Sequence, residues 1–360
     1  MASPLKELFN EHMLRGFSEA VQKEYPVFQT EAFIAQVLND EWEQKELKER
    51  MRHVTITLRP FLPSKYNEMI DLLCKITPHF SGLAYLFLPD IVEVFGLDED
   101  WDVSMEAFAC LTHACSAEFA VRPFIERDPE RMMKQMHQWT MHESEHVRRL
   151  ASEGCRPRLP WGQALKSFQK EASSILPILE ALKEDPSLYV RRSVANNLND
   201  ISKDHPAVVK EIAAKWYGRH EETDWIIRHA VRGLLRKADP EILALFGYYG
   251  EASVDVTLSL DRSQLRIGEN LTFQFTISRQ ALNGKLRIEF AVDYVKANGK
   301  TSKKLFKITD TFLKEGTRTF ERKLSFRNLT TRVHYPGEHR LSIVINGVEK
   351  ASALFMLTSE

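Results

Sequence analysis

The 360 residues, 43% hydrophobic and 28% charged, have an ordinary globular composition and suffice for two or three domains with large cores. No run of eighteen apolar residues offers a membrane span, and the start MASPLKELFNEHML lacks the basic and apolar regions of a signal peptide, so a cytoplasmic protein is expected. The net charge of −1 argues against a chain that coats nucleic acid, but it averages an asymmetry: residues 251–360 hold 18 Lys/Arg against 12 Asp/Glu, residues 1–250 hold 31 against 38. The four cysteines, Cys74, Cys110, Cys115 and Cys155, form no CxxC pair and lie in half-apolar helical surroundings, so free buried thiols are expected.

Residues 1–140 read as helices. Apolar residues fall at helical spacing in Phe28–Arg50 and Tyr66–Ile76, and Asp102–Phe119 is read as one further helix. On that helix Phe108, Leu111, Cys115 and Glu118 lie within about 80° of one another. Glu118 therefore shares the inward stripe, where a carboxylate needs a partner or solvent. A salt bridge to an arginine such as Arg122 and a carboxylate lining a cleft are both open readings.

The densest stretch is HESEHVRRLASEGCRPRLPW, His142–Trp161. Aligning Val147-Arg148-Arg149 with Val190-Arg191-Arg192 and Ile227-Arg228-His229 gives spacings of 43 and 37 residues. Helical hairpins of the HEAT type repeat every ~40–47 residues. The three stretches are read as inner helices that present arginines to one concave face. Ser144 is the candidate N-cap of the first, which runs to Gly154; Pro157 and Pro160 prevent its continuation. The loop Cys155–Trp161 then carries Arg156, Arg158 and Trp161, suited to phosphate and base contacts, or a rigid linker whose Trp plugs a core. Glu153 sits at the edge of that helix's apolar face. Asp185–Ile201 is the next inner helix, with Val190, Val194, Leu198 and Ile201 as its apolar stripe. Ser193, Asn197 and Asp200 lie alongside; Asn197 and Asp200 either address one ligand or only end the helix. Residues 205–216 follow as an outer helix. Trp225–Lys237 is read as the last inner helix, with Arg228 and Arg232 one turn apart.

Near residue 250 the period changes to two. Val254–Leu260, Leu271–Ile277, Leu286–Tyr294 and Leu341–Ile345 alternate, and Asn-Gly turns stand at 283–284, 298–299 and 346–347. About seven strands of this kind indicate an immunoglobulin-like sandwich without an inter-sheet disulfide. Lys296, Lys300, Lys303, Lys304 and Lys307 gather on one hairpin, as a soluble edge or a phosphate contact. The chain is thus expected to be mainly α: an α-solenoid of HEAT-like repeats over 1–248, followed by an all-β immunoglobulin-like sandwich over 251–360.

His142-Glu143-Ser144-Glu145-His146 matches the H-E-x-x-H zinc signature literally. That motif needs both histidines inside one helix and a third ligand, for which Glu171 is the candidate. Ser144 and Glu145 look like a helix start, which would leave His142 outside, so no metal or other cofactor is expected. No P-loop, dinucleotide fingerprint or nucleophile elbow is present.

EHVRRLASEGCRPRLPW, LYVRRSVANNLNDISKDHP and SAEFAVRPF (Ser116–Phe124) resemble the DNA alkylation repair glycosylases built from HEAT-like repeats. The chain is most similar to their AlkC branch, some members of which carry a C-terminal immunoglobulin-like domain. The resemblance spans nearly the whole chain. It implies excision of cationic alkylated bases, N3-methyladenine and N3-methylcytosine, from double-stranded DNA. It places Glu118, Glu153 and Asp200 at the acidic active-site positions. The AlkD relatives frame their Asp with two tryptophans; this chain has Tyr189 before the paired arginines and Trp161 as a partial substitute. Asp200 is the candidate for stabilising an oxocarbenium-like sugar and placing water. Arg148, Arg149, Arg156, Arg158, Arg191, Arg192, Arg228 and Arg232 would grip phosphates, and Asn197 and Trp161 complete the DNA-binding set. A monofunctional, monomeric glycosylase is the leading reading. A non-catalytic HEAT-repeat scaffold that binds DNA or protein is the alternative, and a zinc hydrolase using His142 and His146 the third.

Overall fold

A computed structural model describes residues 4–249, 253–279, 285–312, 316–329 and 332–359. Contacts divide the chain into two units: Met1–Val209 with Lys215–Ala230, and Lys210–Ala214 with Val231–Glu360. Helices then strands is the order that the two hydrophobic periods dictate, an α-solenoid followed by an immunoglobulin-like sandwich. The residues of 231–249 group with the strands that follow them.

The first unit opens with α1 (Glu11–Glu24), whose N-cap Asn10 accepts from the Met13 N–H at 3.0 Å. Then come α2 (Thr30–Val37) and α3 (Leu47–Leu58), so Phe28–Arg50 is two helices separated by a 3-10 turn at Trp42–Gln44. A reciprocal capping box of Glu46 and Glu49 fixes the start of α3. α4 (Tyr66–Ile76) has the bounds its periodicity sets. α5 (Phe87–Phe95) and α6 (Trp101–Leu111) follow. α6 stops well short of Phe119. The Thr112 hydroxyl accepts from the Ala117 N–H, and the Ala114 carbonyl is taken by the Gly82 N–H, so 112–118 is pulled into turns. Glu118 is therefore carried on a loop and not on a helix stripe. The expectation of four free thiols is also corrected. Cys74 of α4 and Cys110 of α6 are paired as a disulfide, their Cα atoms 6.0 Å apart, while Cys115 and Cys155 are free and buried.

α7 (Arg122–Arg127), α8 (Pro129–Trp139), α9 (Glu145–Gly154), α10 (Lys166–Lys170), α11 (Leu176–Leu182), α12 (Leu188–Asp204), α13 (Pro206–Trp216) and α14 (Glu221–Ala230) complete the repeats. α12 packs between α9 and α14, and α11 lies behind α9 and α12. Val147, Leu150, Val190, Val194, Leu198, Ile226 and Ile227 are the apolar contacts of this inner row, each fully buried. α12 runs a turn further than Ile201, which puts Asn197 and Asp200 in its body and removes their reading as helix-ending residues. The expected helix Trp225–Lys237 is broken. α14 ends at Ala230 and α15 (Arg232–Arg236) begins beyond Val231, at the point where the chain leaves the first unit. Arg228 and Arg232 therefore do not share a helix.

In the second unit α15 and α16 (Pro240–Leu245) precede, among the described residues, eight strands: β1 (Val254–Leu260), β2 (Gln264–Arg266), β3 (Asn270–Arg279), β4 (Leu286–Val295), β5 (Thr301–Thr311), β6 (Gly316–Ser325), β7 (Gly337–Ile345) and β8 (Val348–Thr358). One sheet has the order β1-β3-β6 and the other β2-β8-β7-β4-β5; only β2 and β8 are parallel among the described pairs. Inward residues of both sheets, among them Phe273, Phe275, Ile288, Leu341 and Phe355, fill one core. On β4 the alternation is incomplete, because Arg287 and Glu289 are buried too and pair at 2.6 Å. Asn346 and Gly347 both take positive φ, +48° and +81°, the geometry of the tight β7–β8 hairpin. The 298–299 turn carries positive φ at Gly299 alone, and 283–284 lies outside the described residues. β5, an edge of its sheet, carries Lys303, Lys304 and Lys307 of the lysine cluster, with Lys303 on Glu349 and Lys307 on Asp310, while Lys296 and Lys300 flank the turn before it. Among the described residues no helix is long and apolar enough to cross a membrane.

Candidate active site

α9 ends at Gly154, a position where no side chain fits. A Cβ on Gly154 would sit 2.7 Å from Val121 Cγ2 and 2.9 Å from Met136 Cε. The loop that follows is held at both ends by Arg122, whose Nη1 donates to the Gly154 carbonyl at 2.8 Å and whose Nε donates to the Gln163 carbonyl at 2.6 Å. Arg122 is fully buried, and burial foremost lowers its pKa to about 10. It is thus a loop brace and not the partner of Glu118.

Glu118 instead accepts from Arg149 Nη1 and from the Ser116 hydroxyl, each at 2.8 Å. Arg149 lies 3.5 Å from Glu153, which accepts from Arg156 at 2.6 Å. Arg156 Nε donates to Asp200 at 2.9 Å, and Lys203 holds the other Asp200 oxygen at 2.9 Å. Three carboxylates and three cations therefore alternate: Glu118, Arg149, Glu153, Arg156, Asp200, Lys203. The loop, α9 and α12 each supply a member. The i to i+3 spacing of Glu153 and Arg156 and of Asp200 and Lys203 makes two links local. Burial alone would lower the arginine pKa values, yet Glu153 with Glu118 raises that of Arg149, and Glu153 with Asp200 raises that of Arg156.

A cleft of about 520 Å³ opens over one end of this chain. Glu118, Arg149, Glu153 and Arg156 line it, with Leu83, Cys115, Phe119, Leu159, Trp161 and Tyr189 as apolar wall. Asp200, 1% exposed, is not among the lining residues and stands behind Arg156. The two glutamates, and not Asp200, are thus the carboxylates at the cleft. Tyr189 lies under the Arg149 guanidinium at 4.5 Å and edges His146, which in turn faces His113. Burial first, then His146 and His142, lower the pKa of His113. Trp161 is 62% exposed, so it plugs no core, and its backbone φ of +62° is unusual for a bulky residue.

The repeat register places the remaining arginines differently from the expectation. Arg148 donates back to the His142 and Glu143 carbonyls and binds Asp185 through two nitrogens. Arg191, one repeat on, donates back to the Asp185 and Pro186 carbonyls. Arg228 donates to the Tyr217 hydroxyl just before its own helix. This register position closes the turn that enters each inner helix. The next position, Arg149 and Arg192, is the one turned to the outside of the row: Arg149 reaches the cleft, and Arg192 is exposed with no hydrogen bond or ion pair among the described residues. Arg158 forms an exposed pair with Asp204. Arg232 belongs to the second unit. Asn197 is fully buried, its amide donating to the Ser152 carbonyl at 2.8 Å, so it joins α9 to α12 and does not reach the cleft. His142 lies before α9 with Nδ1 accepting from the Ser144 N–H, and among the described residues no three His, Cys, Asp or Glu side chains gather as a metal site. Ser116, Phe119 and Tyr189 line the cleft but were not singled out as site residues, although they lie within the stretches SAEFAVRPF and LYVRRSVANNLNDISKDHP. Only the position of Tyr189, beside paired arginines in a repeat, pointed to it.

Helical hairpins in register, an acid–arginine chain at a cleft, and a separate sandwich define an α-solenoid protein with an immunoglobulin-like second unit. Residues 110–234 match the DNA alkylation repair enzyme family, and residues 255–359 match the C-terminal Ig-like domain described for the uncharacterised protein YhaZ. The chain is 46% identical over 355 residues to the uncharacterized protein YhaZ of Bacillus subtilis, covering 98% of this chain and 99% of that protein. It superposes with a TM-score of 0.93 on the Pseudomonas fluorescens alkylpurine DNA glycosylase AlkC, solved bound to DNA containing an abasic site analog. The two are 37% identical over 99% of this chain and 100% of that one. The chain therefore belongs to the DNA alkylation repair enzymes, in the AlkC branch with its C-terminal Ig-like domain.

Proposed function

We propose that the chain is a DNA glycosylase that hydrolyses the N-glycosidic bond of cationic N3-alkylated bases, N3-methyladenine and N3-methylcytosine, in duplex DNA. The observation that carries this is the pair Glu118 and Glu153 at one cleft, each locked by arginine. An N3-alkylated base already bears positive charge, so it departs without a general acid. What the protein must supply is negative charge beside the sugar as it becomes oxocarbenium-like, and an oriented water. Two carboxylates fixed before the substrate arrives do this without reorganisation. Asp200 acts at one remove: it holds Arg156, which holds Glu153. The described cleft lining offers two carboxylates able to orient a water, which favours water as the nucleophile and a monofunctional reaction.

DNA is the natural partner, since the AlkC relative was solved bound to DNA containing an abasic site analog, and we take duplex DNA as its form here. Arg192 and Arg158 are the exposed arginines of the helical unit best placed to meet phosphates. Trp161 stands at the cleft mouth, where its indole face would meet the cationic base. Its replacement by alanine is expected to slow release by roughly 2- to 30-fold, the range of one cation–π contact. Single-turnover kinetics on an N3-methyladenine duplex measure this, and an unchanged rate would remove Trp161 from the site. The reading as a whole is tested by incubating the purified chain with methylated duplex DNA and assaying free bases and abasic sites. Release of N3-methyladenine with matching abasic sites supports it; intact DNA with undiminished binding would make the chain a non-catalytic scaffold.

A further inference from the structure

The loop 155–163 carries Trp161 in a left-handed conformation that an L-residue with a bulky side chain holds at a cost of ~1–2 kcal/mol. Such a conformation persists only where the surroundings over-determine it. Arg122 secures the two ends of the loop through the Gly154 and Gln163 carbonyls. The tip is secured from a distant part of the chain. Lys48, on the first turn of α3, donates its ammonium to the Trp161 carbonyl, and the same ammonium lies 4.6 Å from the centre of the Phe119 ring. Phe119 adjoins Glu118 in sequence, and both line the cleft with Trp161. The base of this strut is rigid, since the Glu46–Glu49 capping box fixes the start of α3. One exposed cation thus ties the N-terminal helices to both the carboxylate loop and the tryptophan loop.

We infer that Lys48 is a positioning residue for base excision, holding Trp161 at the cleft mouth through its backbone carbonyl and Phe119 through its ring. The inference rests on the glycosylase reading above, and goes beyond it to a residue 113 positions from the tryptophan it governs. Lys48 touches neither the sugar nor the base. Its effect passes through the orientation of Trp161. Methionine at position 48 keeps the apolar stem and removes the charge and the donor. Arginine keeps both.

The test compares wild type, K48M, K48R, W161A and the double variant K48M/W161A in the full chain. Amide hydrogen exchange over residues 157–163, thermal unfolding, and single-turnover release of N3-methyladenine are measured. K48M is expected to speed exchange in that segment with an unchanged unfolding midpoint, and to slow release by no more than W161A does, roughly 2- to 30-fold, because its effect passes through Trp161. K48R is expected to restore most of the rate. K48M is expected to add nothing on the W161A background, because coupled residues are not additive. Wild-type exchange and wild-type release in K48M would overturn the inference, as would a loosened loop without loss of rate, or a loss of rate that K48M retains in full on the W161A background. If the wild-type chain itself releases no base, the glycosylase reading fails, and the exchange data alone decide whether Lys48 holds the loop.

Discussion

Replacing Glu153 with glutamine is expected to slow release of a cationic base by roughly 10²- to 10³-fold, the magnitude seen when one preorganised electrostatic contact to a transition state is lost. The substitution preserves volume. Arg156 keeps Asp200, and Arg149 keeps Glu118, so the loop and α9 stay in place. What disappears is the negative charge at the centre of the alternating chain, on the carboxylate that two arginines address. Duplex affinity is expected to change little, because the exposed arginines that would meet phosphates are elsewhere. Single-turnover rates and binding isotherms on one methylated duplex separate the two effects. A rate equal to wild type would show that Glu153 is only scaffold, and would move the sugar-facing role to Glu118.

Replacing Asp200 with alanine is expected to destabilise the helical unit by about 1.5–3 kcal/mol, because it strips one of two anions from a buried arginine. Arg156 is 7% exposed and would be left with Glu153 alone. Lys203, half-exposed, can turn to solvent, so the penalty falls on Arg156. Asp200→Asn keeps a hydrogen-bond acceptor and should lose less. Both variants should slow base release, since a displaced Arg156 no longer fixes Glu153. Calorimetry of the two variants checks the stability effect, and an unfolding midpoint unchanged in Asp200→Ala would refute the linkage.

Local spacing made much of this legible. The bounds of α4 and α9 follow from apolar periodicity and from Gly154, and the change of period marks the sandwich. The repeat register correctly picks equivalent positions on α9 and α12. It does not say where a long side chain turns. Arg148 and Arg191 look like surface guanidinium groups in sequence, yet each bends back five and six residues to carbonyls that no motif announces. Asp200 was legible as part of the site, but its place behind Arg156 depends on how α12 packs against α9. Periodicity puts Glu118 on a helix that ends seven residues earlier, since the Gly82 contact at the Ala114 carbonyl comes from a remote segment. The strut from Lys48 was invisible for the same reason.

The arginines that turn back into their own repeats have a consequence for how the protein would travel along the genome. A duplex-binding surface normally exchanges many cations for condensed counterions, and so clings tightly in dilute buffer and lets go steeply as salt rises. Here Arg148, Arg149, Arg156, Arg191 and Arg228 are occupied internally. Few guanidinium groups of the inner row α9, α12 and α14 are left to displace sodium or potassium from intact duplex. The inner row and its loop, with Arg192 and Arg158 as the phosphate contacts, should therefore add a log–log slope of only about −2 to the ionic-strength dependence of affinity for undamaged DNA. This face would hold ordinary sequence weakly, and would grip where a damaged nucleotide meets the carboxylates of its cleft.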